Sequence, residues 1–188
     1  MKVQTVRSAL TMLALVPALA SAQDAAEPRP AHFPPVQGKS LNGRSFALPA
    51  DFGGTLNVVL IAFQRQQQAE VDTWTPMLRR LAAEHSELRV YELPTLPRTL
   101  KLIRGFIDGG MRGGIPDTAV RAATVTMYID KTPFKQALTI YTEDRIQVML
   151  VDRAGVIHWR WIGPFGEVAG AALARAVQAA DSSGVQHP

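Results

Sequence analysis

The sequence predicts an α/β domain, a central mixed sheet with flanking helices and an N-terminal hairpin, and three observations carry that expectation. Asn42-Gly43 sits between alternating apolar positions, the strongest short-range hairpin signal. Leu56 to Phe63 is a near-continuous apolar run rich in β-branched residues, followed directly by apolar residues at helical spacing. Near the other end, two short apolar segments joined by Asp152-Arg153-Ala154-Gly155 lead into an alanine-rich stretch. Alternation of these kinds places helices on the faces of a sheet.

The chain has 188 residues and opens as a removable address reads. Lys2 and Arg7 form a basic start, Ala9 to Ala20 is an apolar run interrupted by Pro17, and Ala20-Ser21-Ala22 offers a signal peptidase its small residues. A retained anchor would need about 18 to 20 continuous apolar residues. Residues 1–22 are therefore expected to be a signal peptide, and the mature chain to be periplasmic or secreted. Pro28, Pro30, Pro34 and Pro35 lie among small and charged residues, so 23–35 reads as a linker. The domain is expected over 36–180, with a disordered tail over 181–188.

Within the domain, Gly38 to Leu48 reads as the hairpin and Leu56 to Phe63 as a strand covered on both faces. From Gln67 to Glu84 the residues Val71, Trp74, Leu78, Leu81 and Ala82 share one helical face. Pro76 falls inside that helix, where it removes an amide hydrogen and crowds the preceding turn. Leu88 to Leu93 is expected to be a strand and Leu100 to Ile107 a helix. Gly109, Gly110, Gly113 and Gly114 then predict a flexible or tightly turning loop. Val125 to Ile129 is a strand, Pro133 to Leu138 a helical turn, Ile146 to Val151 and Val156 to Ile162 an antiparallel pair, and Glu167 to Ala180 the closing helix. Trp159 and Trp161, two apart on a strand, point to one face and are expected to pack under that helix.

A hairpin, an apolar strand, a loop and then a helix with an internal proline resembles the thioredoxin fold of the periplasmic thiol-disulfide proteins. In that family the proline lies eight residues after the first cysteine of a C-x-x-C pair, which puts Gln68 and Val71 where the two sulfurs would be. The family also has a cis proline before the first strand of its terminal hairpin, where this chain has Glu143-Asp144-Arg145. A narrower resemblance, over about residues 33 to 178, is to the mitochondrial F-type ATP synthase assembly factor ten family. It rests on Phe33-Pro34 before Gly38-Lys39-Ser40-Leu41, the Trp74 helix, and Leu150-Val151-Asp152 followed by Gly155, Ile157, Trp159 and Gly163. His158 stands where that family tends to have arginine. The resemblance implies chaperone-like assembly of a membrane complex rather than catalysis.

Composition narrows the chemistry. The chain contains no cysteine, which excludes a thiol nucleophile, a dithiol exchange site and every thiolate metal site. His32, His85, His158 and His187 show no metal-ligand spacing, no Gly-x-Ser-x-Gly elbow exists, and the glycines after residue 104 lack the Gly-Lys-Ser/Thr of a phosphate loop. No catalytic residue, metal or cofactor is expected. Loss of the leader takes the formal charge from +4 to about +2, a weak basis for nucleic-acid binding.

Two segments are candidate contact surfaces for a protein partner, including a subunit of a membrane complex. Gln64, Arg65, Gln66, Gln67 and Gln68 occupy the turn into the proline-bearing helix, where exposed amides and the positive helix end favour an anion or carboxylate. Glutamines there either recognise peptide without attacking it or mark an unused site. Arg98, Lys101, Arg104 and Arg112, with Arg121, outnumber Asp108 and Asp117, so this stretch either offers a positive surface to an acidic partner or anionic lipid, or is a solvated helix face. Two rival classes remain open: a thioredoxin-fold oxidoreductase or peroxidase-like enzyme with non-cysteine chemistry, and a small-ligand carrier with a closed apolar pocket.

Overall fold

Hydrophobic patterning sorts the strands. The computed structural model describes residues 31–184. The elements are, in order, β1 (Val36–Ser40), β2 (Ser45–Leu48), β3 (Leu56–Ala62), α1 (Gln68–Glu84), β4 (Leu88–Pro97), α2 (Arg104–Gly114), α3 (Thr118–Ala123), β5 (Val125–Ile129), α4 (Lys131–Ala137), β6 (Gln147–Asp152), β7 (Ile157–Ile162) and α5 (Glu167–Gly184). All seven residues of β3 are buried, as its unbroken apolar run requires, and β3 lies near the middle of the sheet. The order across the seven strands is β2-β1-β5-β4-β3-β6-β7. β3, β4 and β5 run parallel, and the two outer pairs are antiparallel.

The hairpin turns where the Asn-Gly pair predicts: Gly43 has φ +93° and its N–H donates to the Ser40 carbonyl at 2.8 Å. Gly155 makes the corresponding turn between β6 and β7, also with φ +93°. Each sheet face carries its own core. One joins Phe33, Phe46, Phe52, Tyr91 and Phe134, with Phe33 edge-on to both Phe52 and Phe134. The other joins β3 and β6 residues to Val71, Trp74, Leu78 and Leu81 of α1 and Ala169, Leu173 and Val177 of α5. Trp159 and Trp161 are half-buried against this second core, and Trp74 meets Trp159 edge-to-face at 6.2 Å. Pro76 lies at an exposed position of α1, and the helix continues through it.

Four expectations change. The linker does not extend to Pro35, because Phe33 is 2% exposed in the aromatic core and its N–H donates to the Gly155 carbonyl, while the Ala31 carbonyl accepts from the Ile157 N–H; the signal peptide and the linker up to residue 30 lie outside the described residues. The closing helix runs past Ala180 to Gly184, and Asp181 pairs with His85 at 2.9 Å. The expected helix over Leu100 to Ile107 begins instead as a 3-10 turn, Arg98–Ile103, and becomes α-helical only at Arg104. The glycine loop is helix: α2 includes Gly105, Gly109, Gly110, Gly113 and Gly114. Long-range bonds offset the weak propensity of those glycines, since Tyr128 of β5 donates to the buried Asp108 at 2.8 Å and Arg112 donates to the Leu41 carbonyl at 3.0 Å.

Candidate functional site

The site begins where β3 ends. The turn that joins the strand to the helix leaves amides outside both ladders, and here a glutamine side chain satisfies two of them. Gln67 is buried, and its Oε1 accepts from the Phe63 N–H at 2.7 Å and from the Gln64 N–H at 3.2 Å. Its Nε2 donates to the Glu143 carbonyl at 2.6 Å, which also receives the Gln64 Nε2 at 3.0 Å. One helical turn on, Glu70 accepts from Arg145 at 3.0 Å and from the Ile146 N–H at 3.2 Å. The start of α1 is thereby fastened to the Glu143-Asp144-Arg145 loop ahead of β6.

The Glu143 side chain completes this latch. Burial raises its carboxyl, but hydrogen bonds and charge from Lys131 and Lys135 outweigh that and hold it below the usual carboxylate range. The described residues have their one cis peptide at Leu48-Pro49, remote from this loop in the sequence. Of the five candidate residues in the turn, Gln67 faces inward and Gln64 is spent on the Glu143 carbonyl, whereas Arg65 and Gln66 are exposed. Gln68 is exposed and donates to Asp72 at 3.0 Å. The turn is thus chiefly an internal fastening, with Arg65, Gln66 and Gln68 as its outward part.

The basic segment does not form one patch either. Arg104 lies 3.7 Å from Asp108 and over the Tyr128 ring, and Arg112 is bonded to Leu41. Burial and the adjacent Asp108 push the Tyr128 hydroxyl above its ordinary range, so it remains a donor. Arg98 and Lys101 are exposed without an ion-pair partner among the described residues.

Between α1 and the α2–α3 crossover lies a feature that the sequence reading missed. A cleft of about 1630 Å³ opens over β4, lined by apolar groups including Leu60, Val71, Leu78, Val90, Phe106 and Val120. It is an open trough, not the closed pocket expected of a carrier. Glu92 of β4 is half-buried in it, facing Gln68 and Asp72 of α1. Burial pushes the Glu92 carboxyl up to about 7; the Gln68 amide opposes this and the Asp72 charge adds to it. The available signal was period two, because Leu88, Val90, Glu92, Pro94 and Leu96 occupy one face of β4 and only one of them is charged. Among the described residues no group of histidines, aspartates or glutamates is arranged to hold a metal ion.

No family model matches the chain, and no curated protein matches it. Solved structures do. BsSco, a member of the Sco family of cytochrome c oxidase assembly proteins, superposes with TM-score 0.55 at 12% identity, covering 83% of this chain and 96% of that one. A thiol:disulfide interchange protein from Bacteroides sp. superposes with TM-score 0.50 at 20% identity, covering 79% and 87%. The exposed lipoprotein thioredoxin Etrx1 of Streptococcus pneumoniae strain TIGR4 gives TM-score 0.50 at 10% identity, covering 76% and 98%. The fold is thioredoxin-like. This thioredoxin-like chain has the β3–α1 junction and no cysteine to place there. The narrower resemblance to the ATP synthase assembly factor family gains no support from these matches.

Proposed function

We propose that this chain is an exported, redox-inactive thioredoxin-like protein acting as a binding or assembly factor, chaperone-like, for an envelope or membrane protein complex. The observation that carries the reading is the latch at the β3–α1 junction. Beside Gln68 and Val71, where the fold resemblance would place a thiol pair, the Gln64 and Gln67 amides and the Glu70 carboxylate are consumed by Glu143, Arg145 and Ile146, in a chain without cysteine. Thiol exchange needs a thiolate, and no residue supplies one. What the scaffold retains is surface. The residues of the leader support export, and the similarity in fold to BsSco, described as one of the cytochrome c oxidase assembly proteins, supports an assembly role. Among the described residues no helix is long and apolar enough to cross a membrane.

The purified protein, stripped of metal, is expected neither to reduce insulin nor to consume peroxide; either activity overturns the reading. Crosslinking in the native cell envelope is expected to capture subunits of a membrane complex. Capture of ATP synthase subunits selects the narrower resemblance, and capture of no protein sinks the assembly role.

A further inference from the structure

The crossover between β4 and β5 covers its half of the sheet poorly. Leu102 and Phe106 are 96% and 86% exposed, Ile103 is also exposed, and a Cβ built on any of the five glycines of α2 would meet nothing within 4 Å. Apolar side chains left in water beside an apolar trough mark a surface that gains by being covered. The trough exceeds the roughly 300–1000 Å³ of small-molecule sites and is open along one side, which fits a length of polypeptide better than a metabolite.

Its charge narrows the guest further. Glu92 and Asp72 face one another inside the trough, and neither forms an ion pair among the described residues. Arginines are present in the lining, but Arg89 donates to the Ser86 and Leu88 carbonyls, and neither Arg65 nor Arg79 reaches the two acids. Asp117 at the start of α3 adds a further acid while capping its own helix. Gln68 donates to Asp72 and opposes the burial of Glu92, but it carries no charge; a half-buried carboxyl beside an exposed one at an apolar wall is relieved by a cation supplied from outside. We propose that the trough docks an apolar polypeptide segment carrying a single lysine or arginine, whose cation sits at Glu92 and Asp72 while its apolar side chains cover Phe106, Val90 and Leu78. This rests on the binding-factor reading and names the partner's chemistry. The side-chain-poor wall of α2 leaves room for guests of different shape.

The test uses a fluorescently labelled 18-residue leucine- and alanine-rich peptide with one central lysine, and a twin with norleucine there. Anisotropy titrations at pH 8 are expected to show the lysine peptide bound about tenfold more tightly, the size of one desolvated ion pair. That advantage shrinks from pH 8 to pH 6, because a Glu92 that has taken up its proton near 7 no longer attracts the cation. Glu92→Gln cuts the advantage of the lysine peptide to less than about threefold, Asp72 remaining, and Phe106→Ser, at an exposed position, weakens both peptides about tenfold. Equal binding of the two peptides overturns the cation, and binding of neither overturns the docking groove, as does a thermal shift given by small amines but not by peptides. If envelope crosslinking captures the same partner with both variants as with the unaltered chain, the trough is the wrong surface and the assembly reading stands. If it captures nothing with any of them, both fail.

Discussion

The two halves of the helical layer on one sheet face were built to different standards. Around α1, β6, β7 and α5, Trp74 is wholly buried, its Nε1 donates to the Gly163 carbonyl at 3.1 Å, and its ring meets Trp159 and Phe165 edge-on. Around α2 and α3, glycines replace side chains, large apolar groups face water, and three long-range side-chain hydrogen bonds, at Asp108, Arg112 and Thr118, help to hold the segment. The first half secures the fold. The second tolerates being loose, and a region that spends little on its own packing is where a partner can add contacts.

The comparison breaks most readily at Trp74. Trp74→Ala is expected to cost about 3–5 kcal/mol and to lower the melting temperature by roughly 10 °C, whereas Phe106→Ala should change it little. Calorimetry of the two variants decides this, and similar losses would erase the distinction. Next in size is the latch. Gln67→Leu strands the Phe63 and Gln64 amides and takes one of its two donors from the Glu143 carbonyl, at a cost of about 2–3 kcal/mol in urea unfolding, with faster hydrogen exchange at Phe63. A loss below about 0.5 kcal/mol would mean that the glutamines are not a fastening.

Glu92 sharpens the loose half by its sign with pH. Its folded value near 7 lies above the ordinary 4.5, so the folded state holds an extra proton between those values and loses stability as pH rises through that window. Glu92→Gln should therefore stabilise the protein by roughly 1–3 kcal/mol at pH 8 and by nothing at pH 4, read from melts across the range. A pH-independent difference would mean packing, not charge. The smallest effect belongs to the glycines of α2, none of which has positive φ. Gly109→Ala with Gly113→Ala should add about 1–2 kcal/mol of local stability, seen as slower amide exchange confined to α2. No added protection would contradict a helix over this segment.

How much could be read beforehand follows the same division. Asn42-Gly43 turns the hairpin through its own backbone, the Leu56 run makes a strand by being apolar throughout, and the 3.6-residue spacing from Val71 to Leu81 sets the buried side of α1. Each is a local effect. Phe33 was hidden among prolines because its burial depends on two rings at residues 52 and 134. The glycines of α2 read as a loop because the bonds that hold the helix come from Leu41 and Tyr128. Glutamines 64 and 67 read from the sequence as contact residues or as an unused site, since nothing in their own turn announces that the Glu143 carbonyl will stand beside them.

The order of elements, the hairpin, the two-sided central strand and the want of any thiol were settled by residue spacing and composition, because periodicity and turn preferences act over a few neighbouring residues. Which glutamine turns inward, whether a glycine run coils, and where an acid is stranded in an apolar trough were decided only once the chain had folded. Those outcomes depend on groups that lie tens of residues apart in sequence and meet through the sheet's strand order.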